Sequence, residues 1–170
     1  MTLTLILIRH AKSDWDDARL TDHQRPLNAR GRRAAPRVGA WLAGAGHAPQ
    51  QALVSDAMRT RETWSYVASH LPDPPAPTLS PGLYLAGPTA MLTYLQAATA
   101  PTVAMVAHNP GTGVLAAILA ATAPAHPSFD RYPTGATTVL EFDAETWGHV
   151  QPGMGQIRAF AIPRDLPDPA

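Results

Sequence analysis

The sequence predicts an α/β fold: a three-layer αβα sandwich around a mostly parallel sheet with an antiparallel edge. Three observations carry this expectation. Residues 3–8 (LTLILI) form an almost unbroken apolar run that ends at Arg9-His10, the pattern of a strand buried on both faces. Strand-like and helix-like segments then alternate, the order that builds a parallel sheet with helices on both sides. The last strand-like runs are joined by short turns, which suits antiparallel pairing.

Each element has a local reason. After the first strand, Gly31 to Ala45 carries Ala34, Val38, Trp41 and Leu42 on one helical face, and Gly44 and Gly46 stop it. Ala52-Leu53-Val54 reads as a short second strand. Ser55 offers an N-cap for a helix over 56–70, with Met58, Thr63 and Val67 facing inward. The Pro-rich stretch 72–82 reads as loop, with one short strand near Thr78-Leu79. Pro88 to Thr99 reads as a helix with Pro in its first turn. Thr102 to Ala107 (TVAMVA) is another buried strand. Asn109-Pro110 then starts a helix to about Thr122, with Asn as cap and Pro as first helical residue. Thr137–Phe142 alternates as a strand, and Trp147–Val150 and Ile157–Ile162 read as edge segments. The chain reads as a single domain over 1–163, with 164–170 as a frayed C-terminal tail.

Composition excludes several function classes. The 170 residues hold 13 Lys+Arg, 13 Asp+Glu and no Cys. Without Cys there is no disulfide framework and no thiolate nucleophile or ligand. A formal net charge of zero argues against general nucleic-acid binding. The N-terminal run lacks a basic n-region and a small-residue cleavage site. The longest apolar helical run, Val114 to Ala121, is far short of the ~20 residues that span a bilayer. No membrane partner and a cytoplasmic location are therefore expected. Lys12 is the only lysine; Arg fills every other basic position.

Three polar clusters stand where strands end: Arg9-His10, Ser55 to Arg59, and His108-Asn109. Ligands of open α/β sheets bind at the carboxyl ends of the strands, so one crevice can collect two His and two Arg from distant positions. His108 precedes a helix start, close to unpaired N–H groups and the positive end of the dipole. Arg59, in a first helical turn, reaches back toward its strand end. Guanidinium groups, imidazoles and helix N-termini converging on one point suit an anion, most naturally phosphate. Each cluster alone also reads as a solvated corner; the conjunction favours a site. The remaining histidines (His23, His47, His70, His126 and His149) read as surface. Residues 111–116 (GTGVLA) match a dinucleotide fingerprint, but the acid expected ~20 residues on would be Asp130, which ends no strand. No phosphate-binding G-x-x-x-x-G-K-[ST] loop and no G-x-S-x-G elbow occurs. A metal site from His10, Asp14 and His108 is disfavoured because the flanking arginines repel a cation. No metal and no cofactor are expected.

These residues resemble the histidine phosphatase superfamily, whose fold is phosphoglycerate mutase-like. LIRHAKSDW is similar to its first signature, VSDAMRTRET to its second and VAHNPG to its third. The segments RPLNARG (25–31), GLYLA (82–86) and YPTGA (132–136) look most like the small SixA-type phosphohistidine phosphatases, and the match covers nearly the whole chain. The resemblance implies that His10 is the phosphorylated nucleophile and that Arg9, Arg59 and His108 hold the phosphoryl oxygens. Lys12, Ser13 and Asn109 are the accompanying substrate-binding candidates. It also implies a phosphate-bearing substrate, foremost phosphohistidine on a signalling or phosphotransfer protein. A small phosphorylated metabolite is the alternative, and a weakly active phosphate-binding module the alternative of another class. The chain departs from the pattern at two places. Many members carry a Glu general acid where Gly82 stands, and mutase-type members often have Asn where Asp16 stands.

Overall fold

A computed structural model describes residues 1–170. The strands are β1 (Thr2–Arg9), β2 (Gln51–Ser55), β3 (Pro77–Ser80), β4 (Thr102–Ala107), β5 (Thr137–Asp143) and β6 (Gln156–Ala161). They form one sheet in the order β3-β2-β4-β1-β5-β6. The first four pair in parallel, while β5 and β6 run antiparallel at one edge. The helices are α1 (Ala29–Gly44), α2 (Met58–Ala68), α3 (Pro88–Gln96) and α4 (Gly111–Leu119).

The pleat of β1 explains the layers. Successive side chains point to opposite faces. Leu3, Leu5 and Leu7 join Met91, Leu95, Leu115 and Leu119 from α3 and α4. Ile6 and Ile8 join Ala35, Val38, Leu42, Trp64 and Val67 from α1 and α2. Each buried Leu, Ile, Val or Met among them contributes about 1.5–3 kcal/mol. The sheet is thus sandwiched between two helical layers, as the apolar run at 3–8 predicts.

Several local expectations are corrected. Ser55 does not cap a helix: it stays in strand register opposite Ser80, and α2 begins at Met58 with Ala57 before it. Met58 is exposed; the buried face of α2 is Arg59, Thr60, Thr63, Trp64 and Val67. The helix turns its polar first turn inward because Thr63 Oγ1 accepts the Ala11 N–H at 3.0 Å, tying α2 to the end of β1. α3 stops at Gln96 and α4 at Leu119, both earlier than the sequence suggests. Pro110 precedes α4 rather than opening it, although the Asn109 side chain does cap the helix by accepting the Gly113 N–H at 3.1 Å. The expected edge strand at Trp147–Val150 is a 3-10 turn over Trp147–His149, because buried Trp147 donates its Nε1–H to the Ala100 carbonyl at 2.7 Å. In the C-terminal tail, Asp168 accepts from Arg37 Nε of α1 at 2.7 Å.

Candidate active site

Parallel register brings the polar clusters together. Arg9 of β1 lies opposite Ala107 of β4, and Val54 of β2 opposite Val106, so the three strands end level. His10 and His108 follow two of those ends and Ser55 closes the third, so the three become neighbours. The His10 N–H donates to the Ala107 carbonyl at 3.1 Å. Gly135 donates its N–H to the carbonyls of Arg9 (3.1 Å) and His10 (3.0 Å). Gly135 holds φ at +77°, a conformation that suits glycine. On the other side, a Cβ on Gly31 would lie 2.1 Å from the Lys12 carbonyl oxygen, so only glycine lets α1 press against the loop after His10. RPLNARG is therefore a packing motif as well as a signature: Asn28 caps α1 through the Gly31 N–H at 2.9 Å.

A pocket of about 150 Å³ opens at these strand ends, lined by Arg9, His10, Lys12, Ser13, Arg59, His108 and Asn109 among others. Every sequence-derived site candidate lies in its wall. His10 Nδ1 is 2.7 Å from the Ala11 carbonyl. A carbonyl only accepts, so that nitrogen carries the proton and Nε2 keeps its lone pair. The Ser55 hydroxyl lies 2.7 Å from His108 Nε2. It also receives the Ala57 N–H at 3.4 Å, which leaves its own proton for His108. His108 Nδ1–H is then free to donate into the pocket. The buried side-chain N and O atoms without a partner are Arg9 Nε, Arg59 Nε and His108 Nδ1. Buried donors are ordinarily satisfied, so three unpartnered donors on residues of one pocket wall suit an anionic acceptor.

The arginines are held by acceptors behind them. Arg9 donates to the Tyr132 carbonyl at 2.9 Å. Arg59 donates to the Asp22 carbonyl at 2.7 Å and to Asp22 Oδ2 at 3.0 Å. Arg25, also in the wall, donates to Ser13 Oγ at 2.8 Å and pairs with Asp22 at 3.0 Å, its guanidinium lying 3.4 Å over the Trp15 ring. Asn109 is anchored to the Tyr132 carbonyl at 3.0 Å.

The electrostatics favour neutral imidazoles. Burial lowers His10 from 6.5 to about 4; the hydrogen bond to Ala11 opposes this, and Arg59, Arg9 and Arg25 add to it. His108 falls from 6.5 to about 3, through burial, then His10 and Arg59. Partial burial pushes the Asp22 carboxyl up, but hydrogen bonds from Tyr84, Arg59 and Arg25 outweigh it and hold Asp22 well below the usual carboxylate range. Asp22 is therefore a fixed anion that positions two arginines. No carboxylate lines the pocket.

Sequence reasoning missed Asp22, Arg25, Trp15, Tyr84 and Thr134. Arg25, Tyr84 and Thr134 were visible only as letters inside RPLNARG, GLYLA and YPTGA, with no chemistry attached. His23, read as surface, stands beside the site: it is 2.8 Å from Asp56 and meets the Tyr84 ring edge-on at 4.8 Å. A side chain at position 82 would meet the Tyr94 hydroxyl and ring edge, so it fits only if that half-buried tyrosine turns aside.

A model of the histidine phosphatase superfamily (branch 1) matches residues 5–83. An uncharacterized protein of Mycobacterium tuberculosis (strain H37Rv) is 34% identical over 164 residues, 92% of this chain and 100% of its own. SixA of Nakamurella multipartitia, a phosphohistidine phosphatase candidate, is 26% identical with a TM-score of 0.78, covering 95% of this chain and 96% of its own. The chain belongs to the histidine phosphatase superfamily. A protein histidine phosphatase SixA solved with tungstate has the same fold, with a TM-score of 0.78 at 24% identity over 96% of this chain and 99% of its own. A histidine phosphatase is a hydrolase, and Arg9, His10 and Arg59 of this pocket lie within the matched residues. No helix is long and apolar enough to cross a membrane.

Proposed function

We propose that this histidine phosphatase works through a phosphohistidine on His10, and that its substrates lose a leaving group needing no general acid from the protein. The observation that carries the reading is one pocket wall that holds Arg9, Arg59 and His108, each with an unpartnered buried donor, beside a His10 imidazole with a free Nε2. Nε2 attacks phosphorus, while Arg9, Arg59 and His108 Nδ1–H donate to the three equatorial oxygens, where transition-state charge accumulates. Preorganisation by Asp22, Tyr132 and Ser55 means the donors need not reorient. Water then attacks the phosphohistidine and returns the lone pair to Nε2. A SixA of the same fold was solved with tungstate, an oxyanion of the kind this reading places against His10.

The finer reading concerns the substrate. The pocket wall has no carboxyl group, and Asp22 is held ionised by its three donors. An alkoxide would leave unprotonated and slowly. A phosphohistidine ring that takes a proton from solvent on its other nitrogen, near pKa ~6.5, leaves as neutral imidazole with no general acid from the protein. Phosphohistidine on a signalling or phosphotransfer protein is accordingly the foremost substrate. A small phosphorylated metabolite is the second reading, favoured by a basic groove beside the pocket. The deciding experiment is a substrate panel with wild type and His10→Ala in parallel: a phosphohistidine protein, p-nitrophenyl phosphate, phosphoserine and 3-phosphoglycerate. Hydrolysis of phosphoserine as fast as phosphohistidine would overturn the leaving-group reading.

A further inference from the structure

A second concavity of about 330 Å³ lies beside the catalytic pocket, and Lys12 and Thr134 line both. Every charged side chain in its wall is basic: Lys12, Arg30, Arg33, Arg37, Arg131 and Arg164. These are six of the 13 Lys+Arg in a chain of zero formal net charge. Three of them, Arg30, Arg33 and Arg37, recur at i, i+3 and i+7 and so form one stripe of α1. The Asn28 cap and the close contact at Gly31 hold that stripe against the loop carrying Lys12. Arg37 alone has an acidic partner, Asp168 at 2.7 Å; the other five form no ion pair. Cations gathered without counter-charges repel one another, and a bound polyanion removes that cost. Four arginines unpaired by acids offer forked donors suited to phosphate oxygens.

We propose that this groove is a second anion subsite, and that the enzyme takes oligophosphates, chains of phosphates joined by anhydride bonds. The terminal phosphoryl group would react at His10 while the following phosphates lie on the groove arginines. The proposal goes beyond the reading above but rests on His10 as the reacting group. The chemistry balances. The Nε2 lone pair forms the N–P bond, and the bridging P–O bond breaks with its electrons on the bridging oxygen. That oxygen becomes the terminal oxygen of the shortened chain. Water then attacks phosphorus, the N–P pair returns to Nε2, and orthophosphate leaves with one proton released to solvent. A departing phosphate, with a second pKa of about 6, needs no general acid at neutral pH, in keeping with the acid-free pocket.

The test compares inorganic tripolyphosphate, p-nitrophenyl phosphate and a phosphohistidine peptide flanked by Asp and Glu. It uses wild type and the combined Arg33→Ala, Arg131→Ala, Arg164→Ala variant of the full chain. None of these three residues lines the catalytic pocket. Wild type should prefer tripolyphosphate to p-nitrophenyl phosphate in kcat/KM. The variant should lose at least about 100-fold on tripolyphosphate, as expected for removing several charge-assisted donors. Its p-nitrophenyl phosphate activity should change less than about threefold, which also shows that it folds. Tripolyphosphate should bind His10→Ala, by calorimetry, with an affinity that the three substitutions and added salt both weaken. Equal losses on all substrates, or none on tripolyphosphate, would overturn the proposal. So would wild-type turnover of the acidic peptide without turnover of tripolyphosphate, which gives the groove to a protein partner. Those failures leave the function at His10 standing; hydrolysis that survives His10→Ala would instead remove that function and this proposal with it.

Discussion

The rings of His10 and His108 stand with centroids 5.3 Å apart and tilted by 56°. Burial and the surrounding guanidinium groups hold both neutral, at about 4 and about 3. The pair divides the labour: His10 is fixed by Ala11 with a lone pair outward, His108 by Ser55 with a proton outward.

That division sets the pH dependence. An imidazole must be neutral to attack, and His10 is neutral above about pH 4. Hydrolysis of p-nitrophenyl phosphate should therefore keep kcat/KM down to about pH 5 and fall only near pH 4. An acidic limb near 6.5, the ordinary histidine value, would show that the pocket does not depress His10.

The same shifts bear on stability. Both histidines titrate lower in the folded chain than in the unfolded one, from 6.5 to about 4 and about 3. Between those values the unfolded chain binds more protons, so stability falls as pH drops below about 6.5 and levels out near 3. The urea midpoint of His10→Ala relative to that of wild type should be higher at pH 5 than at pH 8. Identical pH profiles of the two proteins would contradict this.

Arg9→Ala and Arg59→Ala should each cost about 2.7–4 kcal/mol of transition-state stabilisation, a 10²–10³ loss in kcat. Vanadate or tungstate should sit between Arg9, Arg59 and His108 in a soaked crystal. An anion bound elsewhere would refute the placement.

Gly31→Ala should be severe for its size. The new Cβ meets the Lys12 backbone oxygen at 2.1 Å, which cannot swing away as a side chain does. A loss of at least about 1–3 kcal/mol in chemical denaturation is expected, with kcat falling because the loop after His10 shifts. Gly82→Glu should restore little alkyl phosphatase activity by itself, because the Tyr94 ring must turn aside to seat it. Combined with Tyr94→Ala, it tests whether an acid at that position helps.

Much of this molecule was legible in its sequence. The apolar run at 3–8 fixed β1 as a two-faced central strand, and polar clusters after strands placed Arg9, His10, Arg59 and His108 in one crevice. Local signals failed where tertiary contacts decide. Ser55 has the letters of a helix cap, but parallel register hands its hydroxyl to His108. Trp147 looks like a strand residue until its indole finds the Ala100 carbonyl across the fold. Asp22 was invisible because nothing local distinguishes an exposed turn aspartate from one that grips Arg25 and Arg59. The Arg30, Arg33, Arg37 stripe is periodic, yet only the loops at 128–134 and 162–164 turn it into a groove.

The most direct test of the central claim is to trap the phosphoenzyme. Wild type and His10→Ala would be mixed with a 32P-labelled phosphohistidine protein and quenched in alkali, because phosphohistidine is acid-labile. Label should remain on the wild-type chain, in the peptide containing His10, and be absent from His10→Ala. Label retained by His10→Ala, or mapped to another residue, would contradict a mechanism built on His10.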